Sequence, residues 1–150
     1  MLDYTVCFFG HRELYDIRRV EEQLPPILTD LLRTKPYVTF LVGRNGEFDI
    51  CVASVIKRVQ KAVGHHNSEL MLVLPYPVAD IAYYQQYYDN VMIPERLCKA
   101  RPKAAITLKN RWMAEQADLV IVNVERASGG AYTAMRYAEA LAKEIINIGE

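Results

Sequence analysis

The sequence is sparing in several things, and each shortage excludes something. Its three cysteines, Cys7, Cys51 and Cys98, are odd in number and form no Cys-x-x-Cys pair. That argues against a disulfide framework or a zinc ribbon and for reduced structural thiols in a cytoplasmic protein. It has no excess charge, with Lys+Arg and Asp+Glu at 18 each. Zero net charge predicts no broad affinity for membrane surfaces and makes nucleic acid an unlikely partner, although a local basic site stays open. No apolar run approaches the ~20 residues of a membrane helix. The opening MLDYTVCFFGHRE lacks a basic stretch and enters a strand directly, unlike a signal peptide. Histidine is scarce, and the His65-His66 pair stands in a polar loop without ligands at metal spacing, so no metal site is expected. No linker, repeat or low-complexity run divides residues 1–150, which read as one domain.

What is present is an alternation of apolar strands and amphipathic helices. Strands are predicted at Tyr4–Phe9, Val38–Val42, Leu70–Leu74 and Leu119–Val124, with short ones at Val91–Ile93 and Ile145–Ile148. Helices are predicted at Asp16–Arg33, broken or kinked at Pro25-Pro26, at Asp49–Val63 with Gly64 as C-cap, at Ala104–Gln116 with Ala105, Leu108 and Trp112 inward, and at Gly130–Ala142. Asp80–Asp89 reads as a short helix or lid, and Pro94–Lys103 as loop. Strands that are apolar throughout are covered on both faces. The fold class is therefore α/β: a Rossmann-like three-layer sandwich with an open, mostly parallel sheet of five to six strands.

Five of the seven glycines follow a predicted strand: Gly10, Gly43, Gly46, Gly129 and Gly130. In such a sheet the strand C-termini share one edge, where ligands bind, so these glycines predict one convergent site. Gly10-His11-Arg12-Glu13 brings an arginine fork suited to phosphate or carboxylate and an imidazole able to orient a hydroxyl or move a proton. Gly43-Arg44-Asn45-Gly46-Glu47-Phe48-Asp49 offers loop N–H groups at a helix start. There Asp49 could be an N-cap and Glu47 a ribose contact. Ser128-Gly129-Gly130-Ala131-Tyr132-Thr133 forms an anion nest at the start of the last long helix. In Lys109-Asn110-Arg111-Trp112-Met113, Arg111 either points to this edge or solvates its helix. Tyr83, Tyr84, Tyr87 and Tyr88 make either a half-buried helix face or a lid that stacks on a base.

These residues carry a resemblance. Gly10-His11-Arg12, the glycine loop ending in Phe48-Asp49, Leu72-Val73-Leu74-Pro75-Tyr76, the stretch NRWMAEQADLVIVNV (110–124) and SGGAYTAMRYA (128–138) occur in one order along the chain. Together they resemble the SLOG superfamily, specifically its small YpsA-like branch of single-domain bacterial proteins. That superfamily also resembles the Lonely Guy phosphoribohydrolases and the DprA-type DNA-binding proteins. The resemblance implies a Rossmann-like domain that binds nucleotides or phospho-ribosyl ligands, with Gly10, Arg12, Gly43, Gly46, Asp49, Arg111, Gly129, Gly130 and Thr133 lining the pocket. One departure matters. The phosphoribohydrolases carry PGGxGTxxE, whose glutamate helps cleave the N-glycosidic bond. Here Ser128 replaces the proline, Tyr132 the later glycine and Arg136 the glutamate.

The expectation is thus a nucleotide-binding or sensing protein without efficient catalysis. The alternative is an N-glycosidase acting on nucleoside monophosphates through Glu47 or Asp49. The ligand-binding set is Gly10, His11, Arg12, Gly43, Arg44, Gly46, Asp49, Arg111, Ser128, Gly129, Gly130 and Thr133. No cofactor and no membrane partner are expected, and self-association into a homo-oligomer is left open.

Overall fold

A computed structural model describes residues 3–150. Six strands form one parallel sheet: β1 (Tyr4–Gly10), β2 (Val38–Val42), β3 (Ser68–Val73), β4 (Asn90–Met92), β5 (Leu119–Asn123) and β6 (Glu144–Asn147). Their order is β4-β3-β2-β1-β5-β6, and every pairing is parallel. The helices are α1 (Ile17–Thr34), α2 (Glu47–Val63), α3 (Ile81–Tyr87), α4 (Pro102–Gln116) and α5 (Gly129–Ala140). This is the α/β architecture that the all-apolar strands predict.

Side-chain alternation along the strands divides the core in two. Val6 and Phe8 of β1, Phe40 of β2 and Ile121 of β5 pack on α1 and α2 through Leu24, Leu28, Val52 and Ile56. Cys7, Phe9, Val120 and Val122 point the other way, onto Met113 of α4 and the small face Ala131, Ala134 and Ala138 of α5. Small residues let α5 lie close to the sheet, which brings its first turn near the ends of β1 and β5.

The structure departs from expectation in three places. The predicted break at Pro25-Pro26 does not occur, and α1 runs unbroken through both prolines. Prolines there remove donors to the carbonyls of Glu21 and Glu22, but both residues are exposed, so water can serve those carbonyls. Burial of Val20, Leu24, Leu28, Leu31 and Leu32 holds the helix down. The loop expected over Pro94–Lys103 contains a 3₁₀ turn at Glu95–Leu97, and α4 opens at Pro102, where a missing N–H costs nothing. Helix α2 starts at Glu47 with Gly46 as N-cap, so Asp49 lies inside its first turn and is not the cap. Gly64 does cap the other end, with φ 124° and its N–H on Gln60 O.

No described helix is long and apolar enough to cross a membrane.

Candidate functional site

The chain runs outward from β1 through β2 and β3 to β4, then returns to place β5 on the other side of β1. The strand order therefore reverses between β1 and β5, whose last residues, Gly10 and Asn123, are paired. Beyond those ends lies a cavity of about 310 Å³, within the range of small-molecule sites.

Each wall comes from a different loop. From the end of β1 come Gly10, His11 and Arg12; from the β2–α2 turn, Asn45 and Asp49; from α4, Lys109 and Asn110; from after β5, Arg126 and the glycines that open α5. At α5 the N-cap Ser128 makes no side-chain capping bond, so no hydroxyl occupies the first N–H groups of that helix. Gly129 has φ 91°, a left-handed conformation that favours glycine. A Cβ built on Gly130 would meet nothing within 4 Å. A helix N-terminus with open space before it and Arg12 and Arg126 on its rim can receive an anion.

His11 is buried beside this turn, and its Nε2 accepts the Glu125 backbone N–H at 3.1 Å. An accepting Nε2 leaves the proton of the neutral ring on Nδ1, the atom that lies toward Gly129. Burial, aided by the Arg126 charge, lowers the His11 pKa and favours that neutral form. His11 thus offers the cavity a donor.

The other glycines serve internal contacts. A Cβ on Gly10 would lie 2.2 Å from Phe48 Cγ, and one on Gly46 would lie 2.5 Å from Arg12 Cα. The Glu47 N–H donates to Arg12 O at 2.8 Å, and Glu47 Oε1 accepts the Leu14 N–H at 2.9 Å. Gly46 and Glu47 therefore clamp two loops together. The Glu47 carboxylate faces the α1–α2 side with Leu14 and Ile50, away from the crevice.

Of the sequence-predicted set, the structure brings Gly10, His11, Arg12, Asp49, Gly129 and Gly130 around the cavity. Arg111 and Thr133 line an adjoining hollow of about 390 Å³, which shares Ile106, Asn110 and Gly130 with the first. There the Arg111 guanidinium sits 5.4 Å from the Tyr137 ring centre, and the Thr133 hydroxyl donates to Gly129 O. Arg44 instead lies over the Tyr84 ring at 4.8 Å and reaches Tyr88 Oη at 3.5 Å. Within that tyrosine cluster Tyr88 is buried, whereas Tyr83 is 63% exposed. Gly43 sits beneath the crevice against Lys109 and Asp49.

Sequence reasoning missed Lys109 and Arg126. On α4 the buried stripe is Ala105, Lys109 and Met113, not Ala105, Leu108 and Trp112. A lysine spaced four residues from an alanine and from a methionine on one helix face was the available signal. Arg126 follows β5 in a short exposed turn and carries no pattern of its own.

No protein-family model and no curated protein matches the chain. Among solved structures it is similar to the X-ray structure of DNA processing protein A (DprA) from Streptococcus pneumoniae, with TM-score 0.68 and 16% identity over 95% of this chain and 49% of that one. It is also similar to DNA processing protein A from Helicobacter pylori, described for its single-stranded DNA binding mode, with TM-score 0.65 and 12% identity over 95% and 63%. The chain thus spans half to under two thirds of these neighbours. They show a shared Rossmann-like fold.

They also correct one expectation. Nucleic acid as an unlikely partner does not stand beside a structural neighbour that binds single-stranded DNA. That expectation rested on net charge, which averages the whole surface. The crevice itself gathers Arg12, Lys109 and Arg126 against one carboxylate, Asp49.

Proposed function

We propose that this chain binds a phosphate-bearing nucleotide or phospho-ribosyl ligand in the crevice between β1 and β5, in the manner of the YpsA-like branch it resembles, and does not cleave it efficiently. The observation that carries the reading is the opening of α5: uncapped N–H groups, free space before Gly130, and arginines on the rim. Phosphate gains there from the helix dipole and from charge-assisted hydrogen bonds. His11 adds a neutral donor for a ribose hydroxyl or a phosphate oxygen.

Two placements favour binding over hydrolysis. Arg136, at the position of the phosphoribohydrolase glutamate, is exposed and paired with Glu139 at 3.0 Å. Glu47, one candidate carboxylate, is committed to the Leu14 N–H outside the crevice. Asp49 does border the cavity, but it is buried and already accepts the Asn45 N–H at 2.9 Å.

A second reading takes the same phosphate chemistry from a single-stranded nucleic acid, and the DprA fold favours it. A thermal-shift screen separates the two. Nucleoside monophosphates, cyclic nucleotides, ADP-ribose and NAD form one arm, and short oligothymidylates the other. A ligand at 100-fold its Kd adds ~2.7 kcal/mol. Stabilisation by free nucleotides supports the first reading. Stabilisation by oligonucleotides alone, falling steeply with salt, supports the second. No stabilisation in either arm overturns both.

A further inference from the structure

Lys109 is only 2% exposed and ranks among the largest fully buried side chains. Lysine is almost never so buried unless paired. The nearby carboxylate is Asp49, itself 8% exposed in the first turn of α2. The two head groups converge on Gly43: a Cβ there would lie 2.5 Å from Lys109 Nζ and 3.2 Å from Asp49 Oδ2. Any larger residue would push the ammonium from its place. Yet no Lys109–Asp49 ion pair within 4.0 Å is among those formed by the described residues. Asp49 spends one oxygen on the Asn45 N–H. Burial pulls the Lys109 pKa down and pushes that of Asp49 up, each opposed by the charge of the other. The lysine is thus set into the crevice floor and only partly compensated, on the cavity that Arg12 and Arg126 rim.

We propose that Lys109 is the specificity-determining cation of the crevice, meeting the phosphoryl group from the floor, with Gly43 and Asp49 as the positioning residues that hold its ammonium there. This rests on the phosphate-binding reading above. The competing account makes Lys109 and Asp49 a structural pair that happens to border a cavity.

The two accounts differ in what removing both charges does. Replacing Lys109 alone strands a buried carboxylate and can unfold the chain. The double variant Lys109→Met/Asp49→Asn leaves no buried charge unpaired, so it carries the test, with Asp49→Asn alone as the complement. The probes are inorganic pyrophosphate and 5′-AMP, titrated calorimetrically, with adenosine as the uncharged control and circular dichroism to verify folding. Wild type is expected to bind both phosphates. Asp49→Asn alone should weaken both phosphates and leave adenosine unchanged, because it removes the charge that holds the Lys109 ammonium in place and favours its protonated form. The double variant should lose at least tenfold for both phosphates and be unchanged toward adenosine. A double variant within twofold of wild type overturns this inference and leaves the phosphate site standing. Wild type that binds neither phosphate overturns the site and the inference together.

Discussion

At the scale of the residue, the glycines divide by what surrounds them, not by where they fall in the sequence. All five predicted site glycines follow strands, so sequence position treats them alike. The structure gives Gly10 and Gly46 to internal packing, Gly43 to the space around Lys109, and Gly129 and Gly130 to the cavity. Stability should sort them. Gly46→Ala drives a Cβ into the Arg12 backbone and is expected to cost about 1–3 kcal/mol as overpacking. Gly129→Ala is expected to cost about 1–2 kcal/mol through its left-handed backbone alone. Urea denaturation measures both, and a neutral Gly46→Ala would show that the two loops do not touch as described.

His11 supplies a pH prediction at the same scale. Its pKa is lowered in the fold, first by burial and then by Arg126. The unfolded chain therefore binds a proton that the native state resists. The stability this contributes is present above the ordinary histidine pKa of about 6.5 and is lost as pH falls below it. Protonation would also take Nε2 from the Glu125 N–H. Urea midpoints at pH 7.5 and 5.5 should drop more on acidification in wild type than in His11→Gln. Equal drops would place the sensitivity elsewhere.

At the scale of the element, most of the fold was legible, and the reasons are local. Strands apolar on both faces announce helices on both faces, and Val38–Val42 and Leu119–Asn123 are buried at every position. The break expected at Pro25-Pro26 did not occur because the proline penalty falls at Glu21 and Glu22, two exposed residues, while the opposite face of the helix is buried. The crevice was half legible. Residues on loops directly after strands, such as His11, Arg12 and Gly130, could be placed by topology alone. Lys109 could not, because α4 is only weakly amphipathic and its stripe was read one residue out of register. Glu47 was misplaced because nothing in sequence tells a loop clamp from a ribose contact. Element α5 makes its own prediction. Where the phosphoribohydrolases carry a glutamate to stabilise a developing oxocarbenium charge, it presents Arg136. Incubation with the common nucleoside monophosphates should release no free base detectable by chromatography. Robust release that vanishes in Asp49→Asn would promote the N-glycosidase alternative.

At the scale of the whole molecule, a neutral chain concentrates cations at the one place where its strand order reverses. The sheet order sets β1 beside β5, the small face of α5 lets its uncapped start approach their ends, and the buried stripe of α4 carries a lysine to the floor. Each of these is a packing consequence, and together they form the crevice proposed to take the phosphate. The opening of α5 is where the proposed ligand's phosphate would sit. Gly130→Asp tests it most directly, since its Cβ meets nothing within 4 Å and an acidic residue in a first helical turn is favourable to the helix. Calorimetric titration of nucleoside monophosphates into wild type and Gly130→Asp, with melting curves for both, is the measurement. The variant is expected to melt no lower than wild type and to bind no monophosphate. Monophosphate binding undiminished in the folded variant would show that the phosphate does not sit at the start of α5.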